Sequence, residues 1–266
     1  MKKLSILAVA AIVFAACGGN KSANNAEEAD TLKSFEQEQI EASIKMHFDS
    51  IAAEFSKMEQ PAFVKETNNG ITLTKEEKQV KPTYLLSAGV AEEATTLAEK
   101  YRVLSALNVD KRIAALYEMP VEDYEKAITK LAADIDDPSF KALDNTGSIF
   151  ETSQALYTAM DENGRINYFW QIASAALIEQ LYIVSQNQDK FLSSFTDETA
   201  ANVTFRIILI LDATNRLSLY DPEIAPVAEA LTPLEHLNAT TVEELKAQMS
   251  EMKDEILAAR KALINK

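Results

Sequence analysis

Apolar residues recur at helical spacing along most of the chain. Ile40, Ile44, His47, Ile51, Phe55 and Met58 follow at steps of 4, 3, 4, 4 and 3. Residues three and four apart share a helix face, so this stripe predicts a first amphipathic helix. Val90, Ala94, Leu97, Tyr101, Leu104 and Asn108 repeat at 4, 3, 4, 3 and 4, and predict another. Val121, Tyr124, Ile128, Leu131 and Ile135 mark a third, with Pro120 at its start. Val242, Leu245, Met249, Met252, Ile256, Ala259 and Leu263 alternate 3 and 4 throughout. Thr241 and Glu244 precede that stripe in a capping-box pattern. Further helices are expected near 147–162, 166–187, 197–220 and 222–236, punctuated by Gly164 and Asp221-Pro222.

One segment breaks the period. Residues 62–74 read AFVKETNNGITLT, with Asn69-Gly70 between short alternating runs. That pattern predicts a β-hairpin. The fold class expected is therefore all-α: a bundle of seven to eight helices over residues 35–266 with a small β-hairpin insert. Helix-on-helix packing is the layer architecture that suits such a pattern.

The first 34 residues are of another kind. Lys2 and Lys3 precede an uncharged stretch from Leu4 to Ala16. The stretch falls short of the roughly 20 apolar residues a membrane span needs. Its length and flanks suit a secretory leader. It ends Phe14-Ala15-Ala16-Cys17, with Gly18-Gly19-Asn20 following, and Cys17 is the single cysteine of the chain. This end resembles the lipobox of bacterial lipoproteins, although Phe14 stands where that family usually has Leu. The resemblance implies that residues 1–16 are a signal peptide and that Cys17 carries lipid. It also implies an outer-membrane address, because Gly18 replaces the Asp that retains many such proteins at the inner membrane. Residues 17–34 then read as the lipidated Cys and a flexible polar tether. Asp30-Thr31-Leu32 and Asp49-Ser50-Ile51 resemble an O-glycosylation tripeptide of Bacteroidota.

Composition narrows the chemistry. The chain has 266 residues and a formal net charge of −15. Nucleic acid and anionic lipid headgroups are poor partners for that balance. The six glycines form no phosphate-binding loop and no nucleophile elbow. With Cys17 committed to lipid, thiol catalysis and Cys-ligated zinc drop out. His47 and His236 are far apart and build no zinc or di-iron motif. Placing Gly164 at position 6 of a calcium loop puts Ala159 and Trp170 at ligand positions, so that reading fails. No cofactor or metal is expected. Asp134, Asp136 and Asp137 read as a solvated helix end.

The stretch 166–220 is the most apolar, and its charges stand out. Asp212 and Arg216 are four apart and suit an ion pair at the rim of the core. A sharper reading gathers Tyr168, Trp170, Glu179, Arg206, Asp212 and Arg216 around a pocket for a small polar or glycan ligand. Two functional classes follow. One is a non-catalytic lipoprotein that binds a ligand or an envelope protein, which requires an exposed apolar patch or a groove. The other is an envelope hydrolase, which requires two facing carboxyls about 5–10 Å apart, one with a raised pKa.

Overall fold

A computed structural model describes residues 71–142 and 153–264, together with 35, 37–40 and 42–46. The leader, Cys17, the tether, His47 and the Asn69-Gly70 turn lie outside the described residues. From residue 71 onward the chain passes through ten α-helices and three short 3-10 helices. Among the described residues there is no strand.

Helix α1 (Lys75–Gln79) leads through a non-helical strap, residues 80–87, into the 3-10 helix Ala88–Glu92. Then come α2 (Leu97–Leu116) and α3 (Glu122–Ile135). After the 3-10 helix Pro138–Ala142 come α4 (Ser153–Glu162) and α5 (Ile166–Gln186). The single turn α6 (Gln188–Phe191) precedes α7 (Asp197–Leu217). Helix α8 (Ala225–Leu231) runs into the 3-10 helix Thr232–His236. Helices α9 (Val242–Glu251) and α10 (Lys253–Leu263) close the domain.

Helix α5 is the axle. Seventeen of its 21 residues are buried, because it is apolar on nearly every side and has no face to give to water. It packs along α2, against α10 and against α7. Small side chains let α2 and α5 approach closely: Ser105 and Ala106 on one, Ala175 and Ala176 on the other, all buried. Ser105 donates to the Ile172 carbonyl at 2.8 Å across that seam. Helix α3 packs on α2 and buries Tyr124, Leu131 and Ile135 of its predicted stripe, with Val121 and Ile128 partly buried.

Two expectations need correction. The helices outnumber the seven or eight expected. Helices α1 and α6 are short turns that leave too few apolar positions to reveal a period. The last stripe also spans two helices. Leu245, Met249, Met252, Ile256, Ala259 and Leu263 are all buried as one face, yet the helix is interrupted at Met252. The stripe tracks burial, and burial survives a local break.

The hairpin is the second correction. Its first arm and turn lie outside the described residues, and its second arm, 71–74, is not a strand. Ile71 and Leu73 are buried while Thr72 and Thr74 are exposed. An extended segment laid on a core alternates in this way without any partner strand. Thr74 ends it by capping α1: its hydroxyl accepts the Glu77 N–H at 3.2 Å, and the Glu77 carboxylate accepts the Thr74 N–H at 2.6 Å. The punctuation at Gly164 is as expected. Its φ of +65° lets the Arg165 N–H reach back to the Met160 carbonyl at 2.7 Å, ending α4.

Candidate functional site

Charge has entered the core where α2, α5 and α10 converge. Asp110 of α2 and Glu179 of α5 are fully buried, and Arg260 of α10 is 6% exposed. Each sits where the helical period otherwise places an apolar side chain. Asp110 falls between Leu107 and Ala114, Glu179 between Ile172 and Ile183, and Arg260 between Ile256 and Leu263, all buried. Burying each stripe carries the charge inward with it.

Arg260 grips Glu179 with two parallel bonds. Its Nε donates to Oε2 and its Nη2 to Oε1, each at 2.7 Å. This fork geometry is the strong form of a charge-assisted pair. Nη2 also donates to the Tyr84 carbonyl at 3.2 Å. The guanidinium carbon lies 4.0 Å from the centroid of the Tyr182 ring, a cation–π contact. Burial is the largest influence on Arg260 and works against its charge, but the bonds to Glu179 together with the charges of Glu179 and Asp110 leave its pKa raised.

Asp110 is the odd member. Its Oδ2 accepts the Leu86 N–H at 2.7 Å, while Oδ1 meets no hydrogen-bond donor. The Glu179 carboxyl is within hydrogen-bonding reach. Burial, and then Glu179, push the Asp110 pKa well above the ordinary carboxylate range, while the Leu86 N–H and Arg260 pull it back. One guanidinium thus lies near two buried carboxyls and bonds only Glu179.

Tyrosines frame the cluster. The Tyr124 hydroxyl donates to the Leu86 carbonyl at 2.7 Å. Burial, then Asp110 and Glu179, push its pKa up to about 12. The Tyr84 ring meets Tyr182 edge-on at 6.4 Å, and its hydroxyl is raised by burial and by Tyr117. The backbone of the strap is therefore held at three points. Tyr84 C=O rests on Arg260, Leu86 N–H on Asp110, and Leu86 C=O on Tyr124. The cluster holds three helices and the strap together, with the acid pair enclosed.

A second polar seam runs along the other end of α5. The Tyr101 hydroxyl, on α2, donates to Asp137 and accepts from Arg165 Nη1 at 3.2 Å. Asp137 also accepts the Ser139 N–H at 2.8 Å. Asp137 is therefore turned inward, while Asp134 and Asp136 are exposed as a solvated helix end should be. Tyr168 stacks on Tyr101 with ring centroids 4.7 Å apart, and its hydroxyl donates to Glu223 at 3.1 Å. Gln171 joins the loop before α8 by donating to the Glu223 carbonyl at 2.8 Å. It also accepts from the buried Arg102 at 2.6 Å.

The six residues singled out from the sequence lie in several surroundings. Tyr168 belongs to the Tyr101 seam. Trp170 is 1% exposed and packs edge-on against Tyr157 and Phe169. Glu179 belongs to the Arg260 cluster. Arg206, on α7, has its pKa lowered to about 10 by burial. Asp212 and Arg216 pair at 2.9 Å with both side chains nearly half exposed, the rim ion pair the spacing implies. Asp110, Arg260 and Tyr84 were missed. A signal existed for two of them: Asp110 and Arg260 are charges set inside apolar stripes.

A recess of about 30 Å³ lined by Val90, Glu99, Val103 and Leu263 holds no more than a water or two. Among the described residues no group of three His, Cys, Asp or Glu could hold a metal ion. Among them, too, no helix is long and apolar enough to cross a membrane. No family model, curated protein or solved structure matches the chain.

Proposed function

We propose that the chain is an outer-membrane lipoprotein, anchored through Cys17, whose helical domain has a non-catalytic binding or interaction role. Support for the anchor is the apolar leader ending Phe14-Ala15-Ala16-Cys17, followed by a polar tether. Acyl chains on Cys17 would hold firmly, because each buried CH₂ contributes about 0.8 kcal/mol.

The observation that carries the interaction role is the outward face of α7. Phe205 is 39% exposed and Ile208 52%, and Leu219, in the turn beyond the end of the helix, is 74% exposed. Leu209 lies half-buried between them. On a chain of net charge −15, an apolar strip of this kind is the feature that marks a contact surface. It suits the apolar surface of an envelope protein better than a polar or glycan ligand.

Native mass spectrometry of the full-length protein, gently extracted from its own envelope, tests the reading. A lipid mass on Cys17 and a reproducible partner mass are expected. Cys17→Ser should lose the lipid and leave the membrane fraction. Phe205→Asp with Ile208→Asp should keep the lipid and lose the partner. A lipidated chain that carries the same partner with and without the double substitution would overturn the role assigned to α7.

A carboxylate-pair hydrolase is the second reading, and the Asp110–Glu179 contact is the observation in its favour. Against it, both Glu179 oxygens are taken by Arg260 and neither acid is exposed. General acid–base work needs a carboxyl within reach of substrate. Turnover of a glycoside panel by the wild type, lost in Asp110→Asn with its circular dichroism unchanged, would establish this reading instead.

A further inference from the structure

The acid pair has a charge imbalance that the geometry makes costly. Two carboxyl groups, both fully buried, face one guanidinium, and that guanidinium gives two bonds to Glu179, a third to the Tyr84 carbonyl and none to Asp110. Asp110 Oδ1 has no donor, and a buried acceptor without one is expensive, the more so when charged. A proton on Asp110, donated to Glu179, removes the surplus charge and makes the missing bond. Burial pushes Asp110 in that direction.

The groups that face Asp110 supply no other remedy. They are Glu179 from α5, Arg260 from α10, Tyr124 from α3 and Tyr84 from the strap, with Tyr117 and Tyr182 beyond them against Tyr84. Arg260 is the cation among them, and tyrosines stay neutral well above neutral pH.

The strap is the part that can answer to this charge. Leu86 donates to Asp110 itself, and the Tyr84 carbonyl rests on the same guanidinium as Glu179. Outside the cluster, Lys81 ties the strap to the Tyr117 carbonyl at its exposed end. Residues 81–85 and 87 are exposed or half-buried, with Leu86 buried beneath them. The strap's bonds to the cluster run through its own backbone, so they can break while α2, α5 and α10 stay packed.

We infer that the Asp110–Glu179–Arg260 cluster is a proton-operated latch. One proton held between the two carboxyls keeps the 80–87 strap docked, and loss of that proton releases it. The docked state takes up a proton that the solvated Asp110 of the open state gives away at neutral pH. Docking therefore weakens as pH rises from the ordinary carboxylate range toward the raised value of the docked state. The slope is about tenfold per pH unit.

Amide hydrogen exchange on the full-length protein tests the latch, with rates corrected for intrinsic exchange. In the wild type, protection of the Leu86 amide is expected to fall about tenfold per pH unit across that window. Amides inside α5, such as that of Leu181, should keep theirs. Asp110→Asn keeps an acceptor for Leu86 and a donor for Glu179 but does not titrate, so its Leu86 protection should be flat. Leu86 protection that ignores pH in the wild type overturns the latch. So does an Asp110→Asn slope equal to the wild type, or α5 amides that fall in step with Leu86. Should Asp110→Asn fail to fold, the wild type decides by infrared spectroscopy. A protonated carboxyl band that persists above the ordinary carboxylate range and disappears as Leu86 loses protection supports the latch. Its absence above that range overturns it.

Discussion

Arg260 and Glu179 stand 81 residues apart in the chain and meet through two hydrogen bonds of 2.7 Å, with both side chains out of water. A buried pair of this kind contributes little net stability, since desolvation offsets the attraction, but breaking it strands a charge. Arg260→Met should therefore cost about 3–5 kcal/mol. Arg260→Met with Glu179→Gln should cost clearly less, because no uncompensated charge remains. Urea unfolding followed by circular dichroism measures both. Equal losses in the single and double variants would mean that the cost is packing alone.

Tyr101 holds the second seam through its hydroxyl. Tyr101→Phe leaves buried Asp137 short of a donor, and a loss of about 1–3 kcal/mol is expected. Tyr168→Phe removes a bond at a half-buried site and should cost less. The order of the two unfolding midpoints checks the assignment.

Gly164 ends α4 at a φ of +65°, and no heavy atom lies within 4 Å of where a Cβ would stand. The cost of Gly164→Ala is then conformational, roughly 1–2 kcal/mol. Gly164→Asn should recover part of it, since Asn tolerates the left-handed region. A full loss in the Asn variant would point to a contact at this position instead.

Alkaline pH should destabilise the domain. Burial raises the pKa of Tyr84, Tyr101 and Tyr124. A raised folded-state pKa means that the stability it reflects is complete below the unfolded value, about 10 for tyrosine, and is lost as pH climbs above it. Urea midpoints should fall steeply beyond about pH 10, with tyrosinate absorbance appearing together with unfolding. Tyrosinate that forms while the domain stays folded would show that the rings are reached by solvent.

The Asp212–Arg216 pair should matter little. Its side chains are 44% and 45% exposed, and exposed pairs four apart contribute only a few tenths of a kcal/mol. Alanine at either position is expected to shift stability by no more than about 0.5 kcal/mol in thermal or urea unfolding.

The elements were largely legible in the residues. The stripe 121–135 falls on α3, the run from Ile166 with Glu179 as its single charge on α5, and the Asn163-Gly164 pair on the end of α4. Each rests on an interaction between neighbours in the chain, so local sequence carries it. Residues 71–74 were read as a strand arm because alternation reports an extended chain with one side buried, not the partner that makes a strand. The break at Met252 was invisible for the matching reason: the apolar face runs through it unchanged.

The sequence by itself determined the helical class and the faces that turn inward. Periodicity and composition express these within a few turns of chain. Only the tertiary structure decided which buried charges meet. Glu179 stands out in the sequence as the lone charge of α5, whereas Asp110 and Arg260, charges set inside apolar stripes, were missed. Nothing local told that they converge, because the packing of α2, α5 and α10 sets that distance. Electrostatics in the core depends on that distance and on the water excluded around it.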